Sequence, residues 1–154
     1  MSFVARLRPE LICIDPPWQT FAQTAAGLIA ILARQGTIAE NAAAAACEAV
    51  IAREQESSTA LLDIAVGVPH ARLPGLAAPL SALAVASRGL YEAVPTVPIQ
   101  IVALVLSPPA ASDQHLQVLA GIATLLRSSS LRRKLLQSTS SVTALDILLE
   151  HGLR

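Results

Sequence analysis

One run of residues in the second half of the chain limits its fold more than any other. The segment IQIVALVL, residues 99–106, is apolar at every position but one. A strand that is apolar on both of its faces is typical of the centre of a sheet, and helices are expected to cover it. Shorter apolar runs bounded by Pro, Gly or Ser precede it, and we interpret STALL, IAVGV and LSALAVA as further strands.

Helical spacing of apolar residues flanks these runs. It predicts a first helix over 18–35, closed by Gly36, and a second helix over about 39–53 on the alanine run. A third helix opens at SDQHLQVLAG with Ser112 as its N-cap, and SLRRKLLQ and VTALDILLEH predict two shorter helices. The chain is therefore expected to be α/β (α+β), with one domain over residues 1–154.

Composition excludes several classes of function. Eleven Lys and Arg balance eleven Asp and Glu, so no overall field favours nucleic acid or an anionic membrane. The apolar stretches are shorter than the roughly 18 residues that a membrane span requires, so no direct membrane insertion is expected. Two well-separated cysteines fit a reducing, cytoplasmic location, and the histidines and cysteines lack zinc-site spacing. We expect neither a metal nor a cofactor.

The segment VGVPHA carries a histidine directly after a proline. Pro69 fixes its own φ and lacks a backbone donor, so we expect a strand to end just before His70. Ligands gather at strand ends in layered α/β proteins, which makes His70 a candidate for chemistry. A histidine held for structural reasons is the alternative.

Two other residues could join His70 around one phosphoryl group. Arg53 closes the second helix and offers a planar, permanently charged fork to a phosphate. His115 lies in the first turn of the third helix, where the macrodipole favours an anion. The alternatives are that Arg53 is a solvated helix end paired with Glu56, and that His115 is an ordinary exposed residue.

Several ordered motifs carry a resemblance to a known family. Arg53 and Glu54, followed by Ser58 and Thr59, form an RE…ST element, and VGVPHA follows it. Further along come VALVLSPPAASDQHLQVLAGIATLL and SLRRKLLQSTSSVTALDILLE. In this order the motifs resemble the type-2 IIA domains of the bacterial phosphotransferase system, which include fructose, mannitol and nitrogen-regulatory IIA proteins.

The resemblance implies a small mixed sheet flanked by helices on both faces. It implies that an HPr-like phosphocarrier protein phosphorylates His70, and that His115 and Arg53 line the phosphohistidine site. The matched RE…ST element suggests Thr59 as a further phosphate-binding residue. The implied partner downstream is a IIB domain or a regulatory target protein, and His151 is expected to be a helix-end cation outside the site.

The chain departs from the family pattern in the loop before the histidine. Relatives repeat glycine there, in the manner of STGIGNGVAIPH, whereas this chain has STALLDIAVGVPH with one residue more. Leu61, Asp63 and Ala65 replace the glycines, and Gly67 replaces the usual alanine. Since glycine lets backbone amides approach a phosphate, phosphate binding is expected to be weaker. Asp63 either faces the phosphate and repels it or faces solvent in a turn.

Two functions from different classes therefore remain open. The first is a phosphotransferase intermediate that takes a phosphoryl group onto His70 and passes it on. The second is a regulatory binding module with a diverged phosphorylation site. The sequence identifies neither a sugar nor a regulated target.

Overall fold

The computed structural model describes residues 2–152, and its centre is a mixed sheet of six strands. Its spatial order is β1-β5-β8-β3-β2, with β4 also paired to β8. The six strands are β1 (Ile12–Ile14), β2 (Ala60–Leu61), β3 (Val66–Gly67), β4 (His70–Arg72), β5 (Leu80–Val85) and β8 (Ile101–Ser107). A separate antiparallel hairpin consists of β6 (Tyr91–Val94) and β7 (Val97–Ile99).

The predicted central strand is the centre of this sheet. All seven residues of β8 are buried. On one side β8 pairs antiparallel with β5, and on the other side it pairs in parallel with β3 and then with β4. An apolar side chain at almost every position therefore reflects burial on both faces of the strand.

Five α-helices supply the cover. They are α1 (Phe21–Arg34), α2 (Ala43–Glu56), α3 (Ser112–Leu126), α4 (Ser129–Gln137) and α5 (Ser141–Gly152). Helices α1 and α2 pack on each other and reach the sheet through β5 and β4, respectively. Helix α3 contacts β8, α5 contacts β1, and α4 packs between α3 and α5. The α/β class and the mixed sheet flanked by helices are confirmed.

The ends of α1 show how local chemistry sets a boundary. The helix begins at Phe21, three residues later than predicted, because the Thr20 hydroxyl accepts a hydrogen bond from the Gln23 amide and acts as the N-cap. Trp18 lies before the helix and packs its ring where a side chain on Gly27 would stand. Gly36 adopts φ 72° just after the helix, as its position in the sequence predicted.

Two other predicted helix starts are wrong. The second helix does not begin near Ala39, because residues 40–42 form a 3₁₀ turn before α2 starts at Ala43. Ser112 is not the N-cap of α3 but its first residue, and the cap position belongs to Ala111, which makes no side-chain hydrogen bond. The Pro108–Ala111 turn sets this start instead, through a bond from the Ala111 amide to the Pro108 carbonyl.

The prediction that a strand ends just before His70 is also wrong. Strand β3 ends earlier, at Gly67, and β4 begins at His70 itself, with His70 in register with Val105 of β8. Proline removes only a donor, and the Pro69 carbonyl still accepts a bond from the Val105 amide at 3.0 Å. The chain therefore resumes pairing with β8 directly after the proline.

Within residues 2–152, no helix combines the length and the apolar character that crossing a bilayer would require.

Candidate functional site

An open cleft of about 380 Å³ lies where α2, β4 and the start of α3 meet. It brings together three of the four predicted site residues, Arg53, His70 and His115. The remaining lining side chains are Ala49, Ala52, Glu56, Ala71 and Arg72. The two imidazole rings stand edge to face, with centroids 5.3 Å apart.

A backbone contact fixes the His70 ring. Its Nδ1 lies 2.8 Å from the Val68 carbonyl oxygen. A carbonyl oxygen can only accept, so Nδ1 carries a proton, and in the neutral ring Nε2 then keeps its lone pair. His70 is half-buried, and in its neutral form the Nε2 nitrogen is available.

Two arginines line the same cleft. Arg53 uses one nitrogen, Nη1, to donate to the Ser57 carbonyl at 3.0 Å, just beyond the end of α2. Arg72 reaches the Pro108 carbonyl at 3.5 Å. The predicted alternative for Arg53, a pair with Glu56, is not formed, because the ion pairs among residues 2–152 involve other side chains.

Arg72 is a residue of the cleft that sequence reasoning missed. Arg72 belongs to β4 and lies two residues after His70. Residues i and i+2 of a strand point to the same face. If a strand had been predicted to begin at His70, the spacing His-x-Arg would have placed Arg72 on the same face as His70.

His115 is buried, with only 4% of its surface exposed, so the alternative of an exposed first-turn residue does not hold. Its Nδ1 lies 2.7 Å from the hydroxyl of Ser107, which is itself fully buried at the end of β8. Ser107 is a supporting residue that sequence reasoning missed. A lone serine at the end of an apolar strand was the only available signal.

The surroundings keep both histidines neutral. Burial lowers the pKa of His70 below its ordinary value of 6.5, and the Arg53 and Arg72 charges act in the same direction. The Val68 hydrogen bond and the Glu54 charge raise this pKa and offset the lowering only in part. Burial also lowers the pKa of His115 to about 4, helped by Arg72, His70 and Arg53. Near neutral pH the cleft therefore contains two uncharged imidazoles and two guanidinium cations, and the acidic Glu56 side chain also lines it.

The RE…ST element supports the His70 segment indirectly, through hydrogen bonds to Glu54. The Glu54 carboxylate accepts hydrogen bonds from the Ser58 hydroxyl at 3.2 Å, the Thr59 amide at 3.0 Å and the Thr59 hydroxyl. The Thr59 carbonyl in turn accepts a bond from the Val68 amide at 3.3 Å. Glu54 is thereby linked to the segment whose carbonyl orients His70.

Thr59, the fourth predicted site residue, lies outside the cleft lining. Its hydroxyl proton is already directed to Glu54 rather than towards His70. A direct contact between Thr59 and phosphate stays a prediction.

Gly67 is explained by packing. A Cβ atom at this position would lie 2.2 Å from the hydroxyl oxygen of Tyr91. Tyr91 is buried and its ring stands edge to face with that of Phe21. The tyrosine hydroxyl thus occupies the space that the usual alanine would need, and the change of residue at 67 follows from Tyr91.

The diverged loop turns away from the cleft. Asp63 lies in a 3₁₀ turn and its carboxylate binds the Arg127 guanidinium at 2.9 Å, with both side chains mostly exposed. It therefore faces solvent rather than the site. Ala65 takes the left-handed conformation, φ 55° and ψ 40°, in which a glycine is ordinarily less strained.

His151 lies in the last turn of α5 and does not line the cleft. Among residues 2–152, no three His, Cys, Asp or Glu side chains lie close enough together to hold a metal ion.

Comparisons with known proteins agree with this fold and identify the family. The family model described as phosphoenolpyruvate-dependent sugar phosphotransferase system, EIIA 2, matches residues 6–151. A fructose-specific EIIA component from Haloferax volcanii is 29% identical over 142 residues, which cover 92% of this chain and 90% of that protein.

Solved structures show the same fold. The nitrogen regulatory protein IIA-Ntr from Neisseria meningitidis superposes with a TM-score of 0.81 at 24% identity, covering 94% of this chain and 97% of that one. A structure of the complex between mannitol enzyme IIA and phosphorylated enzyme IIB from Escherichia coli matches with a TM-score of 0.75 at 17% identity, covering 97% and 99% of the two chains. The chain belongs to the EIIA type-2 family of the phosphoenolpyruvate-dependent sugar phosphotransferase system.

Proposed function

We propose that this chain is a phosphohistidine carrier, acting as one domain, that accepts a phosphoryl group on Nε2 of His70. One observation carries the proposal: Nδ1 of His70 donates to the Val68 carbonyl, while the ring lines a cleft shared with Arg53, Arg72 and His115. A neutral imidazole with one nitrogen fixed as a donor is a good nucleophile at its other nitrogen.

The reaction requires little more than positioning and charge. Nε2 of His70 attacks the phosphorus of a phosphorylated phosphocarrier in line, forming a P–N bond as the P–N bond to the donor's histidine breaks. The donor histidine keeps the electron pair of the broken bond, and no oxidant or metal takes part in this balance. The Arg53 and Arg72 cations stabilise the negative oxygens of the phosphoryl group during transfer.

His115 is assigned the role of a neutral hydrogen-bond donor. With the Ser107 hydroxyl donating to Nδ1, the proton of the His115 ring resides on Nε2 and is available to a phosphoryl oxygen. Its pKa of about 4 prevents it from becoming a second cation near neutral pH. His115 therefore stabilises the transferred group without adding charge next to His70.

A protein partner must reach the cleft, and the surface beside it is suited to one. Leu116 follows His115 on α3 and is 61% exposed, more than any other large apolar residue of the described chain. We infer an HPr-like phosphocarrier as donor and a IIB domain as acceptor, both in the cytoplasm. The complex of a IIA relative with phosphorylated IIB supports the second partner.

The direct test uses the purified chain with phosphoenolpyruvate, enzyme I and the phosphocarrier, followed by intact mass measurement. We expect an acid-labile mass gain of one phosphoryl group that is lost in His70→Ala. His151→Ala is the matched control, because His151 lies outside the cleft, and it should retain the gain. A wild-type chain that folds but gains no mass would favour the regulatory binding module instead.

A further inference from the structure

Tyr91 is a buried residue at the start of the β6–β7 hairpin. It is only 5% exposed and lies in register with Ile99 of β7. Its ring stands edge to face with that of Phe21 on α1, with centroids 5.2 Å apart and an interplanar angle of 89°. The hairpin and α1 therefore hold the ring in one orientation.

The free end of this ring lies against the backbone of Gly67. A Cβ atom built on Gly67 would overlap the Tyr91 hydroxyl oxygen and would stand 3.3 Å from Cζ of the same ring. A glycine within a strand often marks such a close approach. Strand β3 consists of only two residues, Val66 and Gly67, so Tyr91 supplies packing that Gly67 cannot provide for itself.

The residue after Gly67 is the one that orients His70. The Val68 carbonyl accepts the hydrogen bond from His70 Nδ1 at 2.8 Å, and the Val68 amide donates to the Thr59 carbonyl at 3.3 Å. Val68 lies between β3 and β4 and belongs to neither strand. In a close-packed interior, the position of its carbonyl therefore also depends on how the neighbouring Gly67 is packed.

The Tyr91 hydroxyl acts at this point through its volume. Its oxygen is buried and has no hydrogen-bond partner within residues 2–152, so it carries a cost that a phenylalanine would avoid. Burial, and then the Glu54 charge, raise the pKa of this phenol above its ordinary value of 10, so it stays un-ionised. A hydroxyl that neither pairs nor ionises still fills space, and the space that it fills is beside Gly67.

We propose that Tyr91 is a positioning residue for His70, an inference that rests on the proposed role of His70 as the phosphoryl acceptor. The Tyr91 hydroxyl packs on Gly67 and holds the Val68 carbonyl against Nδ1 of the histidine. This contact fixes the tautomer in which Nε2 is the free nitrogen. Tyr91 does not line the cleft, so it acts only through the backbone of residues 67–68.

The test is ring ¹⁵N NMR of the unphosphorylated chain at mildly alkaline pH, which distinguishes the two tautomers of neutral His70. Wild type should show the Nδ1–H tautomer. Tyr91→Phe should fold at least as stably as wild type, because the hydroxyl that it removes is unpartnered. We expect its His70 signals to show a mixture of tautomers, and phosphoryl transfer to slow by about 3-fold, because the ring is less well placed.

A second substitution separates positioning from general packing. Gly67→Ala alone places a methyl group on the Tyr91 oxygen, so the backbone must move and transfer should slow by roughly 10-fold. In Gly67→Ala/Tyr91→Phe the methyl group replaces the hydroxyl and stands 3.3 Å from both Cζ and Ile99 Cγ2, which a small shift relieves. The double variant should therefore regain the Nδ1–H tautomer and most of the transfer rate.

Gly121→Ala on α3 is the matched control, because a Cβ atom there would meet nothing within 4 Å. It should change neither the tautomer nor the rate. An unchanged His70 tautomer in Tyr91→Phe, whatever its rate, or a double variant no better than a folded Gly67→Ala, would overturn the proposal. If Gly67→Ala alone does not fold, Tyr91→Phe decides the outcome.

The tautomer is measured without a phosphoryl donor, so the two proposals can fail separately. A wild-type chain that accepts no phosphoryl group, while Tyr91→Phe changes the His70 tautomer, would contradict the proposed function and support the link from Tyr91 to His70. Normal phosphorylation of wild type with an unchanged tautomer in Tyr91→Phe would contradict only the role of Tyr91.

Discussion

Two kinds of contact surround His70, and they differ in burial. The supports of the site, defined as the Glu54–Thr59 and Ser107–His115 hydrogen bonds, are part-buried or buried. The diverged loop, Leu61–Ala65, is held at its surface by the exposed Asp63–Arg127 pair. The supports determine where the imidazoles lie, whereas the loop lies beside the site without lining it. Loss of glycine in the loop is therefore compatible with an intact cleft.

The largest expected effect comes from His115 itself, the ring that the Ser107 hydroxyl holds in place. His115→Asn retains a group that can reach Ser107 but removes the Nε2 donor, so we expect phosphoryl transfer to slow by roughly 10²-fold. His115→Ala is a poorer test, because the side chain is buried and its loss would also cost stability. Rapid mixing with phosphorylated phosphocarrier measures the rate, and an unchanged rate in a folded His115→Asn would remove His115 from the reaction.

The next largest effect is expected from the Glu54–Thr59 hydrogen bonds, which support the segment that orients His70. Glu54→Gln replaces one acceptor oxygen by an amide that cannot accept from Thr59, so the Val68 carbonyl should shift and transfer should slow about 10-fold. NMR of the His70 ring would show the Nδ1–H signal weakened or moved. Glu48→Gln, exposed on the same helix, is the control. An unchanged ring signal in Glu54→Gln would show that the Glu54–Thr59 hydrogen bond does not orient His70.

The burial of His115 also predicts that the folded chain becomes less stable in acid. His115 has a pKa of about 4 in the folded chain against an ordinary 6.5, so between these values the unfolded chain binds the proton and the folded chain does not. The free energy of unfolding should therefore fall as the pH drops from 6.5 towards 4, and this contribution should be constant above 6.5. Urea unfolding at several pH values measures the slope, which should flatten in His115→Asn. An equal slope in that variant would contradict the assignment.

The smallest effects belong to the diverged loop. Ala65→Gly relieves the left-handed conformation and should raise the free energy of unfolding by about 1 kcal/mol, with the transfer rate unchanged. Asp63→Asn removes an exposed ion pair and should lower that free energy by less than about 0.5 kcal/mol. Urea unfolding checks both. A large decrease in the transfer rate of either variant would show that the loop, like the supports, contributes to the site.

The sequence predicted the elements that bury many side chains. Central strand β8 and helix α1 were predicted because their apolar patterns are long enough to be recognised without knowledge of the neighbouring elements. Strands β1 and β4 have three residues each, too few for an alternation to be recognised, and they exist because β5 and β8 offer open edges. Pairing partners distant in sequence thus decided the elements that local patterns could not.

The candidate site was predicted in part for the same reason. His70, Arg53 and His115 were found because their residue types and motifs are distinctive, and the structure brings them together. Arg72 and Ser107 were missed because their roles depend on β4 and β8 lying in register, with Arg72 opposite Ser107. Side-chain direction at these positions follows from strand pairing, which no local motif records.

The measurement that tests the central assignment most directly is ¹⁵N NMR of the phosphorylated chain, which identifies the nitrogen that carries the phosphoryl group. The Val68 contact occupies Nδ1 of His70, so the account predicts phosphorus bonded to Nε2 of that residue, with the Nδ1–H signal retained. Phosphorus on Nδ1 of His70, or on any other residue, would contradict it.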